Sequence, residues 1–194
     1  MRVLITGGAG FIGSHTAARL LELGHKVRVY DDLSSGKLGN LSGMDVDFVK
    51  GDIRRPAALA AAMRGVDAVL HLAALVSVPE SVRSPRLSHD INVTGTFNVF
   101  SAAREAGVGR VVSASSAAVY GNLPGFPKKE DMPLRAESPY AAGKLAVEHY
   151  ATAFAGVYGM KTVCLRYFNV FGPRQDPSSP YSGVISRFAA AIAS

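Results

Sequence analysis

The sequence predicts a doubly wound α/β domain: a parallel sheet with helices on its faces. Three observations predict it. Six short apolar, β-branched-rich runs alternate with segments of helical spacing; the runs are too apolar to have a wet face; and several helical segments end in glycine. The runs are Val3 to Ile5, Val27 to Tyr30, Val46 to Val49, Ala68 to Leu72, Val111 to Ser113 and Thr162 to Leu165. Helical spacing covers Ile12 to Leu23 before Gly24, Pro56 to Met63 before Gly65, and about Leu87 to Ala106 before Gly107. A further helix is expected from Ser138 to about Phe154, and an apolar helical segment from Val184 to Ser194. Only the irregular stretch from Asp32 to Asp45 separates the second and third strands.

Composition narrows the class. At 194 residues, with 48% hydrophobic and 19% charged residues, the chain can bury a full core without metals or disulfides. Cys164 is the single cysteine, so no internal disulfide is possible and a cytoplasmic setting is expected. No window approaches the ~18 consecutive apolar residues that span a bilayer, and Met1 to Thr6 lacks a signal peptide's apolar stretch. The net charge of +6 is spread along the chain, with adjacent basic pairs only at Arg54-Arg55 and Lys128-Lys129. Nucleic acid is not expected as a partner; a diffuse positive field also suits an anionic small molecule.

The chemistry begins at Thr6-Gly7-Gly8-Ala9-Gly10-Phe11-Ile12-Gly13, between the first strand and the first helix. Gly7 permits a tight turn, Gly10 lets the backbone approach a pyrophosphate, and Gly13 lets the helix pack closely on the sheet. The second strand ends in Asp31, 18 residues after Gly13, where a carboxylate can accept hydrogen bonds from an adenosine ribose and repel a 2′-phosphate. NAD is therefore expected over NADP. A second constellation, Tyr140-Ala141-Ala142-Gly143-Lys144, puts a phenol and an ammonium on one helix face. A free phenol titrates near ~10, so the reading expects Lys144 to lower Tyr140 toward neutrality. Ser115 and Ser116, after the fifth strand, place a hydroxyl at the same sheet edge. The irregular stretches from Gly121 to Pro139 and from Gly172 to Gly183 follow strands and are candidate substrate loops.

Glycine turn, acidic residue, post-strand serine and Tyr-x-x-x-Lys stand in the order of the extended short-chain dehydrogenase/reductase family, which this sequence resembles along essentially its whole length. Further similarities are Gly51-Asp52-Ile53, His71-Leu72-Ala73-Ala74 and Asn92-Val93-Thr94-Gly95-Thr96. Leu165-Arg166-Tyr167-Phe168-Asn169 with Val170-Phe171-Gly172-Pro173-Arg174-Gln175 is similar to the nucleotide-sugar epimerases of its NAD-dependent epimerase/dehydratase branch. The resemblance implies Ser116, Tyr140 and Lys144 as catalytic groups. It implies cofactor contacts from Gly7, Gly10, Phe11, Ile12, Gly13, Asp31, Asp52, Ile53, Leu72, Ala73 and Ala74, with Asn92, Ser115, Tyr140, Lys144 and Tyr167. Substrate contacts are implied for Ser77, Ser116, Tyr140 and Asn169, and Ser81 aligns with a substrate-side turn.

The implied reaction is NAD-dependent inversion at C4 of a nucleotide-diphosphate hexose, UDP-glucose/UDP-galactose or the N-acetyl analogues, through a transient 4-keto sugar. A homodimer built on the long helices is implied as well. Sugar 4,6-dehydratases of this fold carry Thr-Asp-Glu where this chain has Ser116-Ala117-Ala118, so dehydration is disfavoured. Relatives continue past Ser194 into a smaller substrate domain. The expected division is a NAD-binding domain over 1–171 and the start of a truncated substrate-binding region over 172–194. Rival readings are a non-catalytic dinucleotide-binding chain and a net NAD-dependent reductase. Cys164 and His71 read as core residues, and no metal site is expected.

Overall fold

The computed structural model describes residues 1–176 together with Ile185, Phe188, Ala191 and Ile192. The helical segment expected over 184–194 lies largely outside the described residues. Six parallel strands, β1 (Arg2–Thr6), β2 (Lys26–Asp31), β3 (Val46–Lys50), β4 (Ala68–His71), β5 (Arg110–Ser116) and β6 (Lys161–Tyr167), form one sheet in the order β3-β2-β1-β4-β5-β6. The order reverses between β1 and β4, where strand carboxyl ends open a crevice. Register carries the site residues to that edge: Thr6 pairs with Tyr30 and His71, and Ser116 pairs with Tyr167.

Alternation along the strands builds two core layers. Leu4, Val69 and Val111 pack with Leu59, Met63, Phe100 and Phe154 under α2 (Pro56–Ala62), α5 (Thr96–Glu105) and α6 (Pro139–Tyr158). Val3, Ile5, Val27 and Val29 pack with Ala17 under α1 (Phe11–Glu22). Among the described residues, the sheet is thus covered fully on one face. Over β6 the other face is open among the described residues, with Val163 and Leu165 exposed.

The long helix expected from Leu87 to Ala106 is interrupted. It is α4 (Pro85–His89), a π-helical turn over Asp90–Gly95, then α5, and a short α3 (Val78–Arg83) precedes it. The cause is a contact with an earlier segment: both ends of the Asn92 amide clasp the Leu75 backbone, accepting from its N–H at 2.8 Å and donating to its carbonyl at 3.0 Å. A side chain drawn inward to serve another segment widens the turn, as π-turns at functional sites do. Gly143 on α6 makes room for it, since a Cβ there would stand 2.9 Å from the Asn92 Cβ.

Candidate active site

The glycine turn is shaped by contacts that a side chain would occupy. A Cβ on Gly13 would lie 2.3 Å from the Gly7 carbonyl oxygen, and one on Gly7 would lie 2.7 Å from the Ala73 nitrogen, with φ at +70°. These are the tight turn and the close helix-to-turn approach that the sequence spacing requires. Asp31, at the end of β2, is 6% exposed and accepts from the backbone N–H groups of Ala9 (2.9 Å) and Leu33 (2.8 Å). Burial raises its pKa, and those two N–H groups pull it back toward ionisation. Each carboxylate oxygen keeps a second lone pair for a ribose hydroxyl.

Beside the turn lies a cleft of about 1010 Å³, at the upper end of ligand-site sizes. Of the residues named from sequence, Gly7, Gly10, Phe11, Ile12, Gly13, Asp31, Asp52, Ile53, Leu72, Ala73, Ala74, Ser77, Ser115, Ser116, Tyr140, Lys144, Tyr167 and Asn169 line it. Asn92 does not. It is 1% exposed and its amide is committed to Leu75, so it shapes the cleft wall from behind. Ser81 is wholly buried as well: its hydroxyl donates to the Val78 carbonyl and accepts from the Tyr140 N–H, which fixes the start of α6. The Ser77 hydroxyl accepts from the Glu80 N–H and caps α3. Asp52 is paired with Arg54, whose hydrogen bonds hold its carboxyl below the usual range.

The two serines have different partners. Ser115 donates to the Glu148 carboxylate at 2.5 Å, whereas the Ser116 hydroxyl accepts from the Ala118 N–H at 3.1 Å and acts to lower the Tyr140 pKa. Ser115 thus lines the cleft with its hydroxyl engaged by Glu148. Tyr140, Lys144 and Glu148 rise along one face of α6 at spacings of four. The helix is started by Ser138, whose hydroxyl accepts from the Ala141 N–H, with Pro139 at its first position.

The expected tuning of the phenol is reversed. Burial raises Tyr140 above 10.0, only partly offset by Ser116. The Lys144 ammonium stands 5.9 Å from the centre of the Tyr140 ring and donates at 2.9 Å to the Ala114 carbonyl. Burial brings Lys144 itself down from 10.5 to about 8. Burial, which penalises the charged phenolate, is the largest influence on Tyr140.

Sequence reading missed the Glu148–Arg166 pair. Arg166, on β6, donates to both Glu148 oxygens at 2.9 and 2.8 Å and to the Tyr120 hydroxyl at 2.8 Å. Glu148 thereby ties down Ser115 on one side of Ser116 and, through Arg166, Tyr120 on the other. The available signal was the third member of the Tyr-Lys spacing, an acidic residue four beyond Lys144. His71 is a second buried polar link: its ring nitrogens bridge the hydroxyls of Thr6 (2.7 Å) and Thr96 (2.9 Å). Thr96 passes its own proton to the Asn92 carbonyl, so Nε2 of His71 carries the ring proton. Among the described residues there is no group of three or more His, Cys, Asp or Glu side chains placed to hold a metal ion, and no helix is long and apolar enough to cross a membrane.

A parallel sheet with a glycine turn at its switch point, a buried acidic residue closing the next strand, and Ser, Tyr and Lys across the same cleft defines a dinucleotide-binding domain. The chain belongs to the NAD dependent epimerase/dehydratase family, whose profile matches residues 3–194, and its cofactor is NAD. It is 43% identical over 203 residues to a UDP-glucose 4-epimerase of Mycolicibacterium smegmatis, covering 99% of this chain and 63% of that one. A solved UDP-N-acetylglucosamine 4-epimerase from Methanobrevibacter ruminantium M1, in complex with UDP-N-acetylmuramic acid, superposes with a TM-score of 0.94 at 43% identity, over 99% of this chain and 62% of that one. A dTDP-glucose 4,6-dehydratase from Streptomyces venezuelae, solved with NAD bound, gives a TM-score of 0.89 at 38% identity, over 100% and 62%. The chain spans about three-fifths of the length of these relatives.

Proposed function

We propose that the chain carries the cofactor site and proton-transfer groups of a nucleotide-sugar 4-epimerase, acting on UDP-glucose/UDP-galactose or their N-acetyl analogues through a transient 4-keto sugar. The observation that carries this reading is the meeting of Ser116, Tyr140 and Lys144 in one cleft with the glycine turn and Asp31. Gly7, Gly10 and Gly13 would hold the cofactor's diphosphate and Asp31 its adenosine ribose, for the cradle at Gly7 and Gly13 has no room for side chains. NAD, when bound, supplies a reversible two-electron oxidation of the sugar carbon with no net redox change over the cycle.

The chain's own groups handle the proton. Tyr140 Oη, once ionised, takes it from the sugar hydroxyl and returns it, Ser116 Oγ holds the sugar oxygen, and Lys144 supplies the positive charge that favours this phenolate against the burial that keeps the free protein's phenol protonated. Asn169, on the segment after β6, would contact the sugar nucleotide. The dehydratase relative shares the fold, but elimination of water needs a further acid and base, and this chain has Ala117 and Ala118 after Ser116. A homodimer through α5 and α6 accounts for exposed Phe97, Val157 and Tyr158 on those helices.

The test is to load the purified chain with NAD+ and remove the excess. It is then incubated separately with UDP-glucose and with UDP-N-acetylglucosamine, and the products are resolved by chromatography. Interconversion of either pair of epimers, lost in Tyr140→Phe, is the expected result. A 4-keto-6-deoxy product, or turnover unaffected by Tyr140→Phe, would overturn the reading.

A further inference from the structure

The chain beyond β6 doubles back across the cleft. A Cβ on Gly172 would stand 3.5 Å from the Phe11 ring, and the next carbonyl, that of Pro173, lies 2.7 Å from Nε2 of His15. Three residues on, Asp176 forms an ion pair with Lys37 at 2.7 Å. Phe11 and His15 belong to the opening turns of α1, and Lys37 to the loop after β2, which itself donates a backbone N–H to the Ala9 carbonyl in the glycine turn. Residues 172–176 are therefore pinned on both sides of that turn.

Between the pins stands Arg174. Its φ is +65°, a left-handed backbone that non-glycine residues rarely adopt and that tends to persist where surrounding structure fixes it for a purpose. It lines the same cleft as Gly10 and Ile12. The other cations of the lining are committed, Lys144 to the Ala114 carbonyl and Lys37 to Asp176. The Arg174 guanidinium has no partner among the described residues, and its planar fork matches adjacent phosphate oxygens.

We propose that residues 172–176 are a strap over the dinucleotide cleft, with Arg174 binding a diphosphate and the His15 and Lys37 contacts holding the strap down. The proposal rests on the reading of this cleft as the NAD site. A diphosphate is common to the cofactor and to a sugar nucleotide. The cofactor's is favoured because both pins flank the glycine turn and the start of α1, away from the Ser116–Tyr140 end. Both pins are solvent-exposed, so the strap can open to admit the cofactor and close to slow its escape.

The experiment measures affinity for NAD+, for adenosine as a probe without diphosphate, and for UDP as the alternative diphosphate, each at low and high salt. NAD+ release is followed after rapid desalting. Arg174→Gln is expected to weaken NAD+ about tenfold and flatten its salt dependence while adenosine binds as before. His15→Ala and Asp176→Asn are expected to speed NAD+ release severalfold with adenosine affinity unchanged. Wild-type NAD+ affinity and salt dependence in Arg174→Gln would overturn the proposal and leave the NAD reading standing. A loss confined to UDP would move Arg174 to the sugar nucleotide and overturn the cofactor assignment, and a parallel loss of adenosine would show general collapse of the cleft instead. A wild-type chain unable to bind NAD+ would overturn the underlying reading too.

Discussion

Nζ of Lys144 donates at 2.9 Å to the carbonyl oxygen of Ala114, two residues before Ser116 on the strand that carries it. The ammonium therefore serves two purposes. It locks the middle of α6 to the end of β5, and it places its charge near the Tyr140 ring without touching the hydroxyl. Burial brings this lysine down only to about 8, so it keeps its proton at neutral pH.

In the free protein the buried phenol stays protonated. The difference in absorbance at 295 nm between wild type and Tyr140→Phe is expected to be flat up to pH 9, because burial raises Tyr140 above 10.0. A phenolate signal near neutrality that vanishes in Tyr140→Phe would show that Lys144 outweighs burial after all.

Gly13→Ala puts a methyl group 2.3 Å from the Gly7 carbonyl, where only backbone can give way. The expected cost is about 1–3 kcal/mol of stability together with loss of measurable NAD+ binding. Thermal unfolding and calorimetric titration read the two effects. Gly24→Ala is the comparison: nothing lies within 4 Å of its Cβ, so it should pay only for its positive φ and leave binding intact.

Removing Glu148 leaves Arg166 and Ser115 without their acceptor. The pair's side chains are 14% and 18% exposed, so Glu148→Ala is expected to cost about 1–3 kcal/mol, between the surface and the fully buried cases. Glu148→Gln should recover part of this by accepting from Ser115. Burial pushes the Glu148 carboxyl up, but hydrogen bonds from Arg166 and Ser115 bring it below 4.5. Its contribution is thus present above pH 4.5 and lost as pH falls through the lower folded value, and chemical denaturation across that range should show it.

His71 gives the opposite proton count. Burial, with Lys144 adding to it, lowers its pKa from 6.5 to about 3, so below pH 6.5 the unfolded chain binds a proton that the folded chain refuses. Stability is expected to fall as pH drops from 6.5 toward 3, by about 2 kcal/mol at pH 5 from this group. His71→Asn should be less stable at pH 7, having lost the bridge to Thr6 and Thr96, and should show a shallower slope between pH 6.5 and 5. An unchanged slope would exclude His71 as its source.

The fold was legible because its signals are local. Glycine spacing, apolar runs and a Tyr-Lys interval depend on neighbours a few residues away, and these alone gave six strands, the cofactor turn and the face of α6. The π-turn was not legible, because Asn92 is drawn from its helix by Leu75, 17 residues earlier in the chain. The partners of Glu148 were not legible either, because β6 brings Arg166 and β5 brings Ser115 against it only in the folded chain.

The sequence by itself determined which residue types could do the chemistry and in what order they meet the sheet edge, since backbone freedom at glycine and side-chain period are properties of short segments. Tertiary structure decided their electrostatics and their division of labour. Whether a phenol rises or falls, which of two adjacent serines is bound by an acidic side chain, and whether an asparagine meets a ligand or a backbone all depend on burial and on partners distant in the chain. Those terms arise only when the chain has folded and water has been excluded.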